Sequence, residues 1–279
     1  MMTDPSRNPD ETIGDPSLVG RPILITGGSR GIGREVALAL LEAGARVAIV
    51  GMSASAPMDE TIRKAQALGA SQRFLPLIAD LRQPQECERI VQKTLDAFGS
   101  LDVLMNNAGI PLIDSGAPFW EVGSLDWMRM VDTNINGVYL VTRCLVPHMI
   151  ARGRGKIINI SSGEAMMVRK NASPYGPSKA FLDAASRIWA QDLAATGVTV
   201  NVLHPGGGVE TEASLALSAA GGKKLPASVM RAPMLWLCSE LSDGHTGERF
   251  NAKLWDENLP LDQRVAAARE SEGLTPRIL

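Results

Sequence analysis

Short apolar runs alternate with longer amphipathic segments along most of the chain. The apolar runs have the length and composition of strands, which we predict at 22–26, 46–50, 74–78, 102–105, 156–160 and 198–203, with 249–253 as the candidate for a last strand. The intervening segments repeat apolar residues at helical spacing, which predicts helices at 32–43, 59–68, 85–98, 125–150, 175–195 and 230–239. Strands that alternate with helices form βαβ units, and near-continuous apolar strands are buried on both faces. The pattern therefore predicts an α/β fold with a mainly parallel sheet.

The alternation stops towards both termini. Residues 1–19 are rich in Pro, Asp and Gly and have no hydrophobic period, so we expect a flexible N-terminal tail. A single domain is predicted over 20–253. Residues 254–279 form a C-terminal extension, in which 265–270 is a candidate short helix.

Composition excludes several classes of protein. The chain has 279 residues, of which 45% are hydrophobic and 21% are charged, so it is neither disordered nor a coiled coil. A net charge of −2 provides no positive field for nucleic acid or an acidic membrane surface. No apolar run is long enough to span a membrane, and no signal pattern is present, so we expect a cytoplasmic protein. The three cysteines and three histidines are scattered, so neither a disulfide framework nor a metal site is expected.

A glycine-rich turn joins the first predicted strand to the first predicted helix. It reads Thr26-Gly27-Gly28-Ser29-Arg30-Gly31-Ile32-Gly33. Glycines allow a tight turn and a close approach of the backbone to a pyrophosphate, which then faces the positive end of the helix. A turn of this kind in a strand–turn–helix context predicts a nucleotide site.

Several motifs occur in the order found in one enzyme family. They are TGxxxGxG at 26–33, Asn-Asn-Ala-Gly at 106–109, Asn134, Ser162, Tyr175-x-x-x-Lys179 and Pro205-Gly206. Between about Arg21 and Lys253 the chain resembles the short-chain dehydrogenases/reductases of the compact, single-domain type. The resemblance implies a Rossmann-type, doubly wound parallel sheet in three layers, with helices on both faces. It also implies hydride transfer between a nicotinamide cofactor and a carbonyl compound or secondary alcohol.

Tyr175 and Lys179 are one helical turn apart and share a face of a predicted helix. A lysine ammonium about 4–5 Å from a phenol oxygen would lower the phenol pKa by roughly two to three units, less the cost of burial. Tyr175 is then the acid in reduction and the base in oxidation. Ser162 would hydrogen-bond the substrate oxygen, with Ser161 as the weaker candidate. The resemblance implies that Asn134 holds a water that links Lys179 to solvent.

Cofactor preference follows from the end of the second strand. Residues 50–53 read Val-Gly-Met-Ser, without the carboxylate that would bond a ribose hydroxyl and repel a 2′-phosphate. Arg30 offers a positive partner and Ser53 a hydrogen bond, so NADP(H) is favoured and NAD(H) stays the alternative. Against this, similar NADPH enzymes often have Arg where this chain has Met52.

The candidate cofactor-binding residues come from the glycine-rich turn, from the strand ends and from the catalytic helix. They are Gly27, Ser29, Arg30, Gly31, Ile32, Gly33, Ser53, Asp80, Leu81, Asn107, Ala108, Gly109, Tyr175, Lys179, Pro205, Gly206 and Thr211. The resemblance implies that Asp80 and Leu81 lie along the adenine. A simple turn role for Asp80 stays open.

The expected partner is a small carbonyl or alcohol substrate. Residues 207–222 are rich in Gly, Ala and Ser and are a candidate lid, and the candidate pocket residues are Ile110, Gly163, Glu164, Met166, Met167 and Gly207. The resemblance also implies a homo-oligomer, a tetramer or dimer, formed through the helices at 125–150 and 175–195. A binding protein that senses NAD(P) on the same fold is the alternative, although a sensor needs no Ser–Tyr–Lys set.

Overall fold

A computed structural model describes residues 18–112, 117–212 and 224–270, which form one sheet flanked by helices. The strands are β1 (Pro22–Thr26), β2 (Arg46–Gly51), β3 (Phe74–Ile78), β4 (Val103–Asn106), β5 (Gly155–Ile160), β6 (Val198–His204) and β7 (Arg249–Asn251). All pair in parallel, in the order β3-β2-β1-β4-β5-β6-β7. The predicted Rossmann-type parallel sheet is confirmed, and the predicted strand ends are off by at most two residues.

The helices cover both faces of the sheet. They are α1 (Gly31–Glu42), α2 (Ala56–Ala67), α3 (Pro84–Phe98), α4 (Ser124–Val131), α5 (Gly137–Ala151), α6 (Glu164–Met167), α7 (Tyr175–Asp192), α8 (Arg231–Cys238) and α9 (Leu261–Ala268). Along β1, Ile23 and Ile25 join a buried cluster with α1 and α8, whereas Leu24 joins a second cluster with α3 and α5. This alternation places a core on each face, which confirms the three layers.

The predicted single helix at 125–150 is interrupted. One π-helical turn, Asp132–Asn136, separates α4 from α5. The apolar period continues on both sides of this turn, so periodicity alone gave no sign of the change in hydrogen bonding. Single π turns are frequent at functional sites, and this one contains the candidate residue Asn134.

Folded structure extends beyond both predicted domain boundaries. Leu18 was assigned to the flexible tail, yet it is fully buried in the core. At the other end, α9 begins before the predicted helix at 265–270, and its residues Val265 and Ala268 pack into the same core. The described domain therefore spans at least Leu18 to Glu270, while residues 1–17 and 271–279 of the predicted terminal segments lie outside the described residues.

The segment after α9 returns to the sheet. Arg269 forms an antiparallel bridge with Phe250 of β7, and the Glu270 amide donates to the Arg249 carbonyl at 2.9 Å. Part of the predicted extension is thus attached to the last strand.

Two structural findings concern membrane insertion and metal binding. No helix in the described ranges has the length and apolar character needed to cross a membrane. Within those same ranges, no group of three or more His, Cys, Asp or Glu side chains is placed to hold a metal ion.

Candidate active site

The motif residues gather at the carboxyl ends of the central strands. Sheet order reverses between β1 and β4, and a crevice at such a reversal is where parallel α/β sheets bind ligands. The glycine-rich turn follows β1, the Asn-Asn-Ala-Gly segment follows β4, and the candidate serines follow β5.

The glycine-rich turn packs directly against the segment after β4. Gly27 has a φ of +68°, and a Cβ there would lie 2.8 Å from the Ala108 Cα, while a Cβ on Gly33 would lie 2.2 Å from the Gly27 carbonyl oxygen. The Thr26 hydroxyl accepts the amides of Asn107 and Ala108 at 3.1 and 3.0 Å. Only glycine fits at Gly27 and Gly33, and the two loops form one rigid wall of the crevice.

An acidic side chain lies against the N-terminus of α1. The Gly31 amide donates to Glu212 Oε2 at 3.1 Å, and Arg34 Nη1 donates to Glu212 Oε1 at 2.7 Å. Arg34 is buried and also bonds the Thr61 hydroxyl, while Thr211 packs where a side chain on Gly31 would be. The first turn of α1 therefore already accepts an anionic group. Sequence analysis missed Glu212 and Arg34, because no local pattern links them.

The end of the crevice next to β2 and β3 is open to solvent. Arg30 and Ser53 are exposed, as is the neighbouring Met52. Asp80 forms a two-pronged ion pair with Arg82, and these hydrogen bonds hold the pKa of its carboxyl below the ordinary value despite some burial. Asp80 thus stabilises the turn after β3, which is the role that was left open for it. Its predicted contact with adenine stays a prediction.

Tyr175, Lys179 and Ser162 are brought together where β5 meets α7. The Ser162 side chain lies near enough to the Tyr175 phenol to favour its ionised form. Lys179 is buried, and its Nζ donates to the Ile160 carbonyl at 2.9 Å and lies 5.7 Å from the centre of the Tyr175 ring. Pro174 is the N-cap residue of α7, and no side chain caps this end of the helix.

Burial has the largest effect on the pKa values of Tyr175 and Lys179. It raises the pKa of Tyr175, which the hydrogen bond from Ser162 only partly offsets. Burial also lowers the pKa of Lys179 to about 8, against the opposing charge of Asp183. The expectation that Lys179 brings the phenol pKa towards neutrality is therefore wrong for this geometry, since the ammonium points at a carbonyl and the phenolate would be desolvated.

Asn134 is buried in the π turn and bonds the loop after β4. Its Oδ1 accepts the Ile110 amide at 2.8 Å, and its Nδ2 donates to the Ile110 carbonyl at 3.1 Å and the Ser178 hydroxyl at 3.2 Å. Asn134 therefore joins that loop to α7. The water link implied by the resemblance stays a prediction.

A partly buried cluster of charged residues contacts the Ser162 carbonyl, and the sequence analysis did not predict it. Arg249 donates from Nη2 to the Ser162 carbonyl at 2.5 Å, from Nη1 to Asp183 Oδ2 at 2.6 Å, and from Nε to Glu270 Oε2 at 2.6 Å. His204 Nε2 lies 2.9 Å from Glu270 Oε1. Asp183 follows Lys179 by one helical turn, a spacing that could have identified it, whereas Arg249 and Glu270 carry no local signal.

A surface cavity of about 350 Å³ lies beside the first turn of α7. Exposed Phe119 and Trp120 line it, together with Met167 and Ser173. Of the predicted pocket residues, only Met167 lines this cavity. Most of the predicted lid, residues 213–222, lies outside the described residues.

Comparison with known proteins agrees with this arrangement. A family model described as short chain dehydrogenase matches residues 21–220. A 3-oxoacyl-[acyl-carrier-protein] reductase of Synechocystis is 33% identical over 190 residues, which cover 68% of this chain and 75% of that protein.

Solved structures of two further proteins are also similar. A short chain dehydrogenase of Burkholderia cenocepacia in complex with NADP has a TM-score of 0.74 and 28% identity, over 85% of this chain and 99% of that one. A 3-ketoacyl-(acyl-carrier-protein) reductase of Brucella melitensis complexed with NADH has a TM-score of 0.75 and 28% identity, over 84% of this chain and 97% of that one.

Proposed function

Because the chain belongs to the short-chain dehydrogenase family and is an NAD(P)-dependent oxidoreductase, we propose that it transfers a hydride between NADP(H) and a carbonyl compound or secondary alcohol, with Tyr175 as general acid/base. The observation that carries the proposal is the convergence of Tyr175, Ser162 and the buried ammonium of Lys179 where β5 meets α7. These three groups lie at the carboxyl end of the sheet, which is also the edge where the glycine-rich turn follows β1.

The residues present fit a nicotinamide dinucleotide. Gly31 and Arg34 already bind a carboxylate at the N-terminus of α1, so that end of the helix has the polarity a pyrophosphate needs. Arg30 is exposed at the end of the crevice where residues 51–53 supply no carboxylate, which favours a 2′-phosphate and hence NADP(H). One similar structure holds NADP and another NADH, so NAD(H) is the alternative to be measured.

Further residues of the candidate set would surround the rest of the cofactor. Near the turn they are Gly27, Ser29, Ile32, Gly33, Ser53, Asp80 and Leu81; near the ribose and nicotinamide they are Asn107, Ala108, Gly109, Tyr175, Lys179, Pro205, Gly206 and Thr211. When bound, the nicotinamide supplies or takes up the hydride.

Each catalytic side chain has a separate task. Ser162 orients the substrate oxygen, and its own backbone is fixed because its carbonyl accepts from Arg249. Tyr175, kept protonated by its raised pKa, donates its proton to that oxygen during reduction. The positive charge of Lys179 then stabilises the phenolate that remains, and Asn134 holds the loop that lines the site.

We also propose a homo-oligomer formed through the faces of α5 and α7. Ile188 on α7 is 56% exposed, and Tyr139 on α5 is 48% exposed, so both helices present apolar surface to solvent.

The test is consumption of NADPH against a panel of aldehydes, ketones and β-keto esters by the wild type and by Tyr175→Phe. We expect turnover in the wild type and a loss of about a thousandfold in Tyr175→Phe, because the proton donor is removed while the ring is kept. NADPH binding, followed by fluorescence, should be retained.

Tyr139→Phe is the matched control, because Tyr139 is the only other tyrosine in the chain and is exposed on α5. It should keep wild-type turnover. Tight NADPH binding with no turnover of any carbonyl would favour the binding-protein alternative, and full activity of Tyr175→Phe would refute the assigned acid.

A further inference from the structure

One carboxylate of the C-terminal segment 254–270 is bonded to side chains of the last two strands. Glu270 Oε2 accepts from Arg249 Nε on β7 at 2.6 Å. Glu270 Oε1 accepts from Asn251 Nδ2 at 3.2 Å and lies 2.9 Å from His204 Nε2 on β6. The Glu270 amide also donates to the Arg249 carbonyl at 2.9 Å, so both the backbone and the side chain of Glu270 are fixed against the sheet.

The first connection runs from Glu270 through Arg249 to Ser162. Arg249 Nη2 donates to the Ser162 carbonyl at 2.5 Å, and the Arg249 side chain is only 10% exposed. A planar guanidinium that bonds a carboxylate through Nε and a carbonyl through Nη2 sets both partners in one fixed geometry. The position of Glu270 therefore bears on the backbone from which the Ser162 hydroxyl extends.

The second connection runs from Glu270 through His204 to the turn at Pro205–Gly206. His204 is buried, and its Nδ1 accepts the Gly206 amide at 3.2 Å. Because Nδ1 accepts, the ring proton lies on Nε2 and is donated to Glu270, so the carboxylate selects the tautomer that the turn requires. Asn251 packs against the same turn, since a side chain on Gly206, whose φ is +79°, would collide with its Oδ1.

We propose that Glu270 is a positioning residue of the active site: its carboxylate holds the backbone of Ser162 through Arg249 and the turn at Pro205–Gly206 through His204. The proposal rests on the proposed function for the roles of Ser162 and of this turn. It adds that a residue outside the catalytic and coenzyme-binding sets maintains the geometry in which the hydride is transferred. A misplacement of about 1 Å is enough to slow such a step about a hundredfold.

The experiment compares the wild type with Glu270→Gln, which has nearly the same shape but only one acceptor oxygen. Its amide nitrogen would face a donor, either Arg249 Nε or His204 Nε2, so at least one connection is lost. We expect the rate constant of a single turnover, with enzyme in excess over NADPH and with saturating carbonyl compound, to fall about ten- to hundredfold. This rate constant does not depend on the fraction of the protein that is folded, so lower stability alone would leave it unchanged. The dissociation constant of NADPH should stay close to its wild-type value.

The protein without coenzyme provides a readout that does not require activity. Pro205-Gly206 is the only Pro–Gly pair in the sequence, so labelling proline carbonyl carbons and glycine nitrogens isolates the Gly206 amide signal in NMR spectra. Labelling serine instead of proline selects Gly163, which reports on the Ser162 carbonyl, and Gly116, which is identified by Gly116→Ala. We expect Glu270→Gln to shift the amide signal of Gly206, of Gly163 or of both.

Two further variants make the test specific. His204→Phe keeps a ring but has no ring nitrogen, so it should shift the Gly206 signal and leave the Gly163 signal in place. Glu257→Gln is the matched control, because it makes the same substitution at an exposed position of the same C-terminal segment. It should leave the single-turnover rate constant and both glycine signals unchanged.

The outcomes distinguish this inference from the proposed function. Carbonyl turnover by the wild type with an unchanged single-turnover rate constant in Glu270→Gln would overturn the inference alone. A wild type that turns over no carbonyl compound would refute the proposed function, while shifted glycine signals would still support the hold of Glu270 on these segments. Should Glu270→Gln not fold, nitrogen-15 NMR of the wild-type His204 ring, assigned with His204→Phe, decides. A proton on Nε2 and none on Nδ1 would support the inference, and the opposite tautomer would overturn it.

Discussion

The protonation state of Tyr175 follows from how little water reaches it. A phenolate in this position would lose hydration that Ser162 only partly replaces, so burial raises the pKa of Tyr175. The protonated phenol is the form that carbonyl reduction consumes, and alcohol oxidation requires the opposite form. If Tyr175 is the general acid proposed above, the free protein holds it in the form that carbonyl reduction requires.

Arg30 is the residue on which the choice of coenzyme depends most directly. Replacing it by glutamine, Arg30→Gln, should lower the preference for NADPH over NADH by about tenfold, because one charge-assisted contact to a 2′-phosphate is lost. The measurement is the ratio of kcat/KM for the two coenzymes, with their dissociation constants determined by fluorescence.

Arg143→Gln on α5 serves as the control, since it removes an exposed arginine at a distance from the crevice. An unchanged ratio in Arg30→Gln would show that NADP(H) selection, if present, resides in Ser53 or other groups.

At the scale of elements, prediction succeeded where a repeated pattern exists. The strands and long helices followed from periodicity, and Tyr175, Lys179 and Ser162 followed from spacing and resemblance. The π turn around Asn134 could not be predicted in this way. It is a single turn with one extra residue, and the apolar pattern continues on both sides of it. The short helix Glu164–Met167 is too brief to show a period at all.

Contacts between residues far apart in the sequence could not be predicted from local sequence patterns. Arg249 meets Asp183 and Glu270 only because β6 and β7 lie side by side and the chain turns back after α9. Glu212 likewise meets the start of α1 although it lies 181 residues further along the chain. Such pairs are fixed by topology, which a single sequence reveals only in outline.

The contact between the segment at Thr211–Glu212 and α1 should influence coenzyme binding. Replacing the carboxylate, Glu212→Gln, should tighten NADPH binding by about three- to tenfold, because a pyrophosphate would no longer compete with an anion for Gly31 and Arg34. Calorimetric titration of the free protein with NADPH measures the change.

Glu210→Gln supplies the comparison, as the same substitution at an exposed position of the same segment. Weaker rather than tighter binding in Glu212→Gln would mean that the carboxylate supports the closed crevice instead of competing for it.

At the scale of the whole molecule, the C-terminal segment packs back onto the domain. Helix α9 adds Val265 and Ala268 to the core on one face of the sheet. Beyond it, Glu270 ties the chain to β6 and β7 through His204 and Arg249. Residues 254–270 of the predicted extension are therefore an integral part of the fold.

Glu270 should make stability depend on acid pH. Because the pKa of its carboxyl falls from an ordinary 4.5 to about 2 on folding, its contribution is complete above about pH 4.5 and is lost as the pH drops towards 2. Glu270→Gln should be less stable than the wild type by about 2–3 kcal/mol at pH 7. Urea unfolding at several pH values should show this difference shrinking below pH 4.5.

Glu240→Gln removes an exposed ion pair with Arg21 and should change stability little at any pH. The raised pKa of Asp183 acts in the opposite direction, and because the charge of Glu270 contributes to that rise, Glu270→Gln should reduce it as well. A difference independent of pH would argue that Glu270 contributes by packing rather than by charge.

The bridge between Arg269 and Phe250 has a consequence for how copies of this protein can meet. The outer edge of a sheet is a template on which another chain can add a strand, and natural proteins guard against this. Here the chain supplies its own partner, since the Glu270 amide already occupies the Arg249 carbonyl. Edge-to-edge joining of two sheets at β7 would first require this segment to be displaced. Loss of the segment would therefore expose an adhesive edge, and self-association there would become a route to aggregation.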